Sequence, residues 1–237
     1  MSGHSHWATI QRSKGANDII RGKLFSKLAR AITIAAKEGG INPDSNLKLK
    51  IAIEKAKQNN MPKDNVDRAI SKAAGGEALE EITYEGFGPL GISVLVEVAT
   101  DNKNRSSQEI KNLFDKFGGK MGGPGSVAFN FSPMGQIIIN KSNTNENSLL
   151  EFIDSGAEDV EEVGDSLIIY TKPHELMNVK HNIESKNYSI VSAELTQKAI
   201  NFVEISKDDT QKAINFLTAM DEHDDVQKVY ANANIKD

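Results

Sequence analysis

Three groups of residues in this chain of 237 have types and spacings that could do chemistry. The first is a series of cations: Arg12, Lys14, Arg21, Lys23, Lys27 and Arg30, against one acid, Asp18, in the same stretch. Fixed cations at such density suit phosphate contacts. Lys37 extends the series, and Trp7, the only tryptophan, offers an indole to stack on a base or to seat the segment. The second group is histidine with acids. With Met1 removed, Ser2-Gly3-His4 has the geometry for square-planar copper or nickel, and His4 with His6 could chelate. Asp221-Glu222-His223-Asp224-Asp225 offers carboxylates to a hard cation, but without the glycine and ligand alternation of a calcium loop. The histidine pair has no neighbours that would orient it, so a surface pair is the preferred reading there, and an acidic turn between helix and strand accounts for 221–225. The third is the glycine-rich loop 118–125. A phosphate-cradling loop runs from strand to helix and ends in Gly-Lys-Ser/Thr, whereas this one joins an expected helix to an expected strand and reads as a connector.

Nucleophilic catalysis has less to stand on. There is no Gly-x-Ser-x-Gly elbow, no histidine has a patterned partner, and Ser106-Ser107 after Arg105 reads as a helix cap. The absence of cysteine excludes disulfides, thiolate metal sites and a cysteine nucleophile. No catalytic residue, metal ligand or cofactor is assigned, and a metal-dependent enzyme stands only as a third alternative.

The elements that would position the cations come next. From an N-cap at Asn17, residues 17–37 place Ile20, Leu24, Leu28, Ala31 and Ala35 on one helical stripe and Lys23, Lys27, Arg30 and Lys37 on another. Arg21 falls within the apolar arc and must snorkel or pair. Residues 44–60 alternate with period two at Leu47, Leu49, Ile51 and Ile53. Even so, they read as a helix, because Asp44 or Ser45 offers a cap and the run is too long for an ordinary strand. Pro62 opens a third helix that Gly75-Gly76 close.

After Gly76 the pattern changes. Strand 92–100, helix 106–117 and strand 126–132 are followed by strand 136–141, helix 147–155, strands 159–163 and 166–171, helix 175–187 and strand 188–194. Strand 202–206, helix 208–221 with a capping box at Asp208 and Gln211, and strand 226–231 complete the chain. The six elements from 136 to 194 make a β-α-β-β-α-β unit, and the flanking pieces make a second. The expected class is α+β and multi-domain: a flexible basic arm at 1–16, a three-helix domain at 17–76, a discontinuous α/β domain from 77–133 plus 200–237, and an inserted ferredoxin-like domain at 134–199. Thr-Gln-Lys-Ala-Ile-Asn-Phe occurs twice, from Thr196 and from Thr210, and context assigns the first copy to linker and strand and the second to helix.

Charge supports this division. Residues 1–75 hold 14 Lys/Arg and 6 Asp/Glu, a balance of +8, while the remainder balances at −13. The basic end is expected to meet a polyanion, and the acidic α/β domains are left for protein contacts or for setting geometry. No apolar run approaches a membrane span and no apolar signal core is visible, so the expected compartment is the cytoplasm.

Gly3-His4-Ser5-His6-Trp7-Ala8-Thr9-Ile10, Arg21-Gly22-Lys23-Leu24-Phe25-Ser26-Lys27-Leu28 and Tyr84-Glu85-Gly86-Phe87-Gly88-Pro89 resemble signatures of the YebC/PmpR family. Gly123-Pro124-Gly125-Ser126-Val127 and Asp225-Val226-Gln227-x-Val229-Tyr230 do so too, with Gly123 standing where many members carry Glu. The resemblance implies a three-domain cytoplasmic protein with no catalytic residues and no cofactor. It implies a DNA-binding transcriptional regulator first. The alternative is a ribosome-associated translation factor whose basic arm and helix contact rRNA or tRNA and help translation of difficult sequences.

Overall fold

The computed structural model describes residues 18–75, 79–144 and 147–235; the arm at 1–16 lies outside the described residues. Three helices come first, α1 (Asp18–Gly39), α2 (Leu47–Gln58) and α3 (Lys63–Ala74). Their shared core is Leu28, Ile32, Leu49, Ala56, Val66 and Ala69. The cap of α2 is Asn46, not Asp44 or Ser45. Its side chain accepts from the Leu49 N–H at 3.1 Å and donates to the carbonyls of Ala35 (2.6 Å) and Gly40 (2.8 Å), so one buried amide ends α1 and starts α2. The period-two run also finds its explanation here. Leu49 enters the helical core, while Leu47 and Ile51 pack into the core of a different domain, so this helix is apolar on two sides.

The middle domain contributes β1 (Glu80–Phe87), β2 (Ser93–Thr100), α4 (Lys103–Lys116) and β3 (Lys120–Met121). The chain then enters the inserted domain through β4 (Phe131–Asn140), α5 (Ser148–Asp154), β5 (Asp159–Val163), β6 (Ser166–Thr171), α6 (Leu176–Ser185) and β7 (Ile190–Ala199). It returns as β8 (Val203–Ile205), α7 (Thr210–Asp221), β9 (Val226–Ala231) and β10 (Ala233–Ile235). The inserted sheet has the order β5-β6-β4-β7, every neighbouring pair antiparallel, which is the ferredoxin-like arrangement.

The middle sheet, β3-β1-β2-β9, reaches the same antiparallel layout by a permuted route. Its inner strand beside β2 is β1, which the hydrophobic pattern did not reveal. The expected strand 202–206 is instead β8, which pairs in parallel with β10 outside that sheet. Residues 126–132 are also not one strand. A 3-10 turn at Ala128–Asn130 precedes β4, whose ten residues absorb the expected strand 136–141. The capping box at Asp208 does not form: α7 starts at Thr210, and Ser206 and Asp209 bond to each other instead. β2 is buried on both faces, with Val94, Val96 and Val98 in the domain core and Leu95 in a cluster with Val127, Phe131, Ala199 and Tyr230 that joins the two α/β domains.

Candidate nucleic-acid interface

The structure brings Lys23, Lys27 and Arg30 together on one side of α1, where Lys27 and Arg30 face protein and Lys23 lies exposed at the edge. Opposite them lies the turn 221–225 between α7 and β9. Lys27 Nζ donates to the Asp221 carbonyl and lies 3.7 Å from its carboxylate. Lys23 reaches Asp224 at 3.4 Å between two exposed side chains. Arg30 donates to the Asp224 carbonyl at 2.8 Å and to Asp225 Oδ1 at 2.7 Å. Lys27 and Arg30 of the expected phosphate-contacting stripe thus form a seam between the helical and middle domains, while Lys23 and Lys37 stay exposed. Burial lowers the Lys27 pKa, and Asp221 offsets that only in part. Lys37 caps the series with a bond to the Leu79 carbonyl at 3.0 Å. Trp7, Arg12 and Lys14 lie outside the described residues, as does the side chain of Arg21.

Asp225 is the centre of the seam. Its side chain is 4% exposed, and beyond Arg30 it accepts from Arg105 at 2.8 Å and from Ser106 Oγ at 2.7 Å. Burial would raise its pKa, but the bonds from Arg105, Ser106 and Arg30 outweigh that and hold it at about 2. Ser106 is therefore not a helix cap. Asn102 caps α4 by accepting from the Arg105 N–H, and Ser106, fully buried, serves the carboxylate. His223 sits beside this network. Its Nδ1 accepts from the Asp225 N–H at 3.2 Å, which puts the proton of the neutral ring on Nε2, 3.0 Å from Glu109. Glu109, His223 and Asp225 lie close enough to share a cation. With both Asp225 oxygens already facing guanidinium or hydroxyl donors, that donor set suits arginine better than a metal.

A second set of cations, which the sequence reading did not single out, is open to solvent. Lys50, Lys57, Lys63 and Arg68 on α2 and α3 are exposed and form no ion pair among the described residues, while Lys48 and Lys55 on the same helix pair with Glu38 and Glu194. Lys57 and Lys63 flank the turn between α2 and α3. The usable signal was the shared spacing of Lys50 and Lys57, seven residues apart on one helical face.

The glycine-rich loop is held by protein. Glu85 on β1 accepts from the N–H groups of Gly125 (2.6 Å), Val127 (2.9 Å) and Ala128 (2.9 Å). Burial acts against the charged form, yet these three donors keep the carboxyl below its ordinary range. The loop is a cradle for an anion, and the anion is the chain's own side chain.

A family model described as TACO1/YebC protein N-terminal domain matches residues 5–76, and one described as TACO1/YebC second and third domain matches residues 79–233. A protein of Dictyoglomus thermophilum is 46% identical over 242 residues, spanning 100% of this chain and 97% of that one. One of Bacillus licheniformis is 47% identical over 240 residues, spanning 99% and 100%. Both bear the name "Probable transcriptional regulatory protein". The crystal structure of a conserved hypothetical protein from Aquifex aeolicus matches with a TM-score of 0.86 at 45% identity, over 93% of each chain. No described helix is long and apolar enough to cross a membrane.

Proposed function

We propose that this chain, which belongs to the TACO1/YebC family, is a non-enzymatic, cytoplasmic nucleic-acid-binding regulator that acts on DNA in transcription. Its domain layout on this reading is 17–76, 77–133 with 200–237, and 134–199. The carrying observation is the set of exposed cations Lys50, Lys57, Lys63 and Arg68, which form no ion pair among the described residues, within a segment whose charge is +8. They join Arg12 and Lys14 as phosphate contacts, with Trp7 available for stacking. Lys23, Lys27 and Arg30 hold the domains in register and contribute to binding by fixing where the other cations stand.

One observation favours a second reading. α1 commits its apolar stripe to a core and Lys27 and Arg30 of its basic stripe to the acidic turn, so those two cations are turned away from a major groove, where duplex-reading helices usually lie. A ribosome-associated translation factor that meets rRNA or tRNA by shape and charge needs no such helix.

The test is binding of duplex DNA and co-sedimentation with ribosomes, side by side at physiological salt. Lys50, Lys57, Lys63 and Arg68 changed together to Glu should abolish binding to the true partner. In the wild type each phosphate contact adds about 0.9 to the slope of log affinity against log salt for duplex DNA. Unchanged binding to both partners, by this variant and by a chain lacking residues 1–15, overturns the proposal.

A further inference from the structure

The three domains border a half-open cleft of about 340 Å³, at the small end of the roughly 300–1,000 Å³ typical of ligand pockets. α1 and α2 line one side with Leu28, Ala31, Ile34 and Ile51, and β9 lines another with Gln227, Lys228 and Tyr230. An ion triad with one member from each domain borders it. Glu194 of the inserted domain accepts from Lys55 of α2 at 2.8 Å and lies 3.2 Å from Lys228 of β9. Burial acts to raise the Glu194 pKa, but the two lysines hold it well below the carboxylate range, so the triad carries two positive charges to one negative. Of the other acids on the wall, Glu81 pairs with Lys48 at 3.8 Å, while Glu97 keeps its charge and accepts from the Tyr230 hydroxyl at 3.2 Å.

Gln227 adds an independent observation. Its Nε2 is buried and has no hydrogen-bond partner among the described residues. Buried donors are nearly always satisfied, so an orphan on the wall of a cleft calls for an acceptor. With the Lys228 ammonium on the same wall, an acceptor that carries negative charge suits the position, and the aliphatic wall opposite asks for an apolar body.

We propose that this cleft is an effector site for a small amphipathic carboxylate. Its oxygens accept from Gln227 and face Lys228, and its hydrocarbon lies against Leu28, Ala31, Ile34 and Ile51. A ligand there touches all three domains, so it favours the arrangement in which they are closed around it. The inference stands apart from the identity of the nucleic acid.

The test uses the full chain and three probes with one apolar body: sodium decanoate, decan-1-ol and decyltrimethylammonium, each below its micelle-forming concentration, titrated calorimetrically. Decanoate binds one to one, the alcohol at least tenfold more weakly, and the ammonium not at all. Gln227→Leu weakens decanoate by about tenfold, the scale of a hydrogen bond to a charged group, without lowering the thermal midpoint, because no protein bond is lost. Ala31→Trp fills the space and abolishes binding. Absence of saturable decanoate binding, ammonium binding as tight as decanoate, or wild-type affinity in Gln227→Leu overturns the proposal, whether or not Ala31→Trp folds.

Discussion

Replacing Asp225 by Asn keeps the shape of the side chain and removes the charge at the middle of the inter-domain seam. Its carboxyl titrates at about 2 in the folded chain against an ordinary 3.8. At about 1.4 kcal/mol per tenfold change in proton affinity, that corresponds to about 2.5 kcal/mol of stability at neutral pH. The sign follows from the depressed pKa. The contribution is fully present above about pH 4 and is lost as the pH falls through about 2. Removing one partner of a buried pair can cost about 3–5 kcal/mol. Here the side chains of Arg30 and Arg105 are 31% and 43% exposed and can turn to water, which favours the smaller figure. Urea unfolding of the wild type and of Asp225→Asn, followed from pH 7 to pH 2, should show a gap of about 2.5 kcal/mol at neutral pH that closes in acid. Equal midpoints at pH 7, or a gap that stays constant down to pH 2, would refute the assignment of that energy to the carboxylate.

Glu85→Gln leaves one oxygen to serve three N–H groups, so the amides of Gly125, Val127 and Ala128 should lose hydrogen-exchange protection by about 1–3 kcal/mol, and unchanged protection would count against the cradle. Gly86→Ala would place a Cβ 2.7 Å from the Lys120 carbonyl and 2.8 Å from the Phe114 ring; the expected cost is about 1–3 kcal/mol in urea unfolding, and a neutral result would show that β3 can move aside. Lys23→Ala should change stability by less than about 1 kcal/mol and that small effect should vanish in high salt, because both members of its pair with Asp224 are exposed.

The fold was readable where one hydrophobic period serves one core. The inserted domain and α3 follow that rule. β1 escaped because Glu80-Glu81-Ile82-Thr83-Tyr84-Glu85-Gly86 keeps its alternation in Ile82, Tyr84 and Gly86, and the last of these contributes no side chain. α2 resembled a strand because two domains bury opposite sides of it. The site was harder to read for a different reason. Composition showed which end of the chain is basic, but a cation's partner is set by tertiary contacts. Lys27 and Asp221 are separated by 194 positions, and nothing local distinguishes Lys27 from Lys57. Ser106 likewise looked like a cap because the carboxylate it serves is 119 positions away.

The charge asymmetry therefore has two components with different consequences. Part of the positive balance of residues 1–75 is spent inside the molecule, on the acidic turn 221–225 and on Glu194. A polyanion cannot recruit Lys27 or Arg30 without exposing Asp221 and Asp225, two anions that would then repel it. Those cations are in effect removed from the binding surface, although they dominate the sequence pattern. Reversing them to Glu would set like charges across the seam and loosen the domains. The resulting loss of nucleic-acid binding would then have two causes. Reversal at Lys50, Lys57, Lys63 and Arg68 has only one, because those side chains hold no described partner and their removal leaves the seam as it was. The two sets should accordingly separate in a paired measurement. The second lowers affinity at constant urea midpoint, the first lowers both, and a fall in midpoint for the second set would place those cations in the architecture after all.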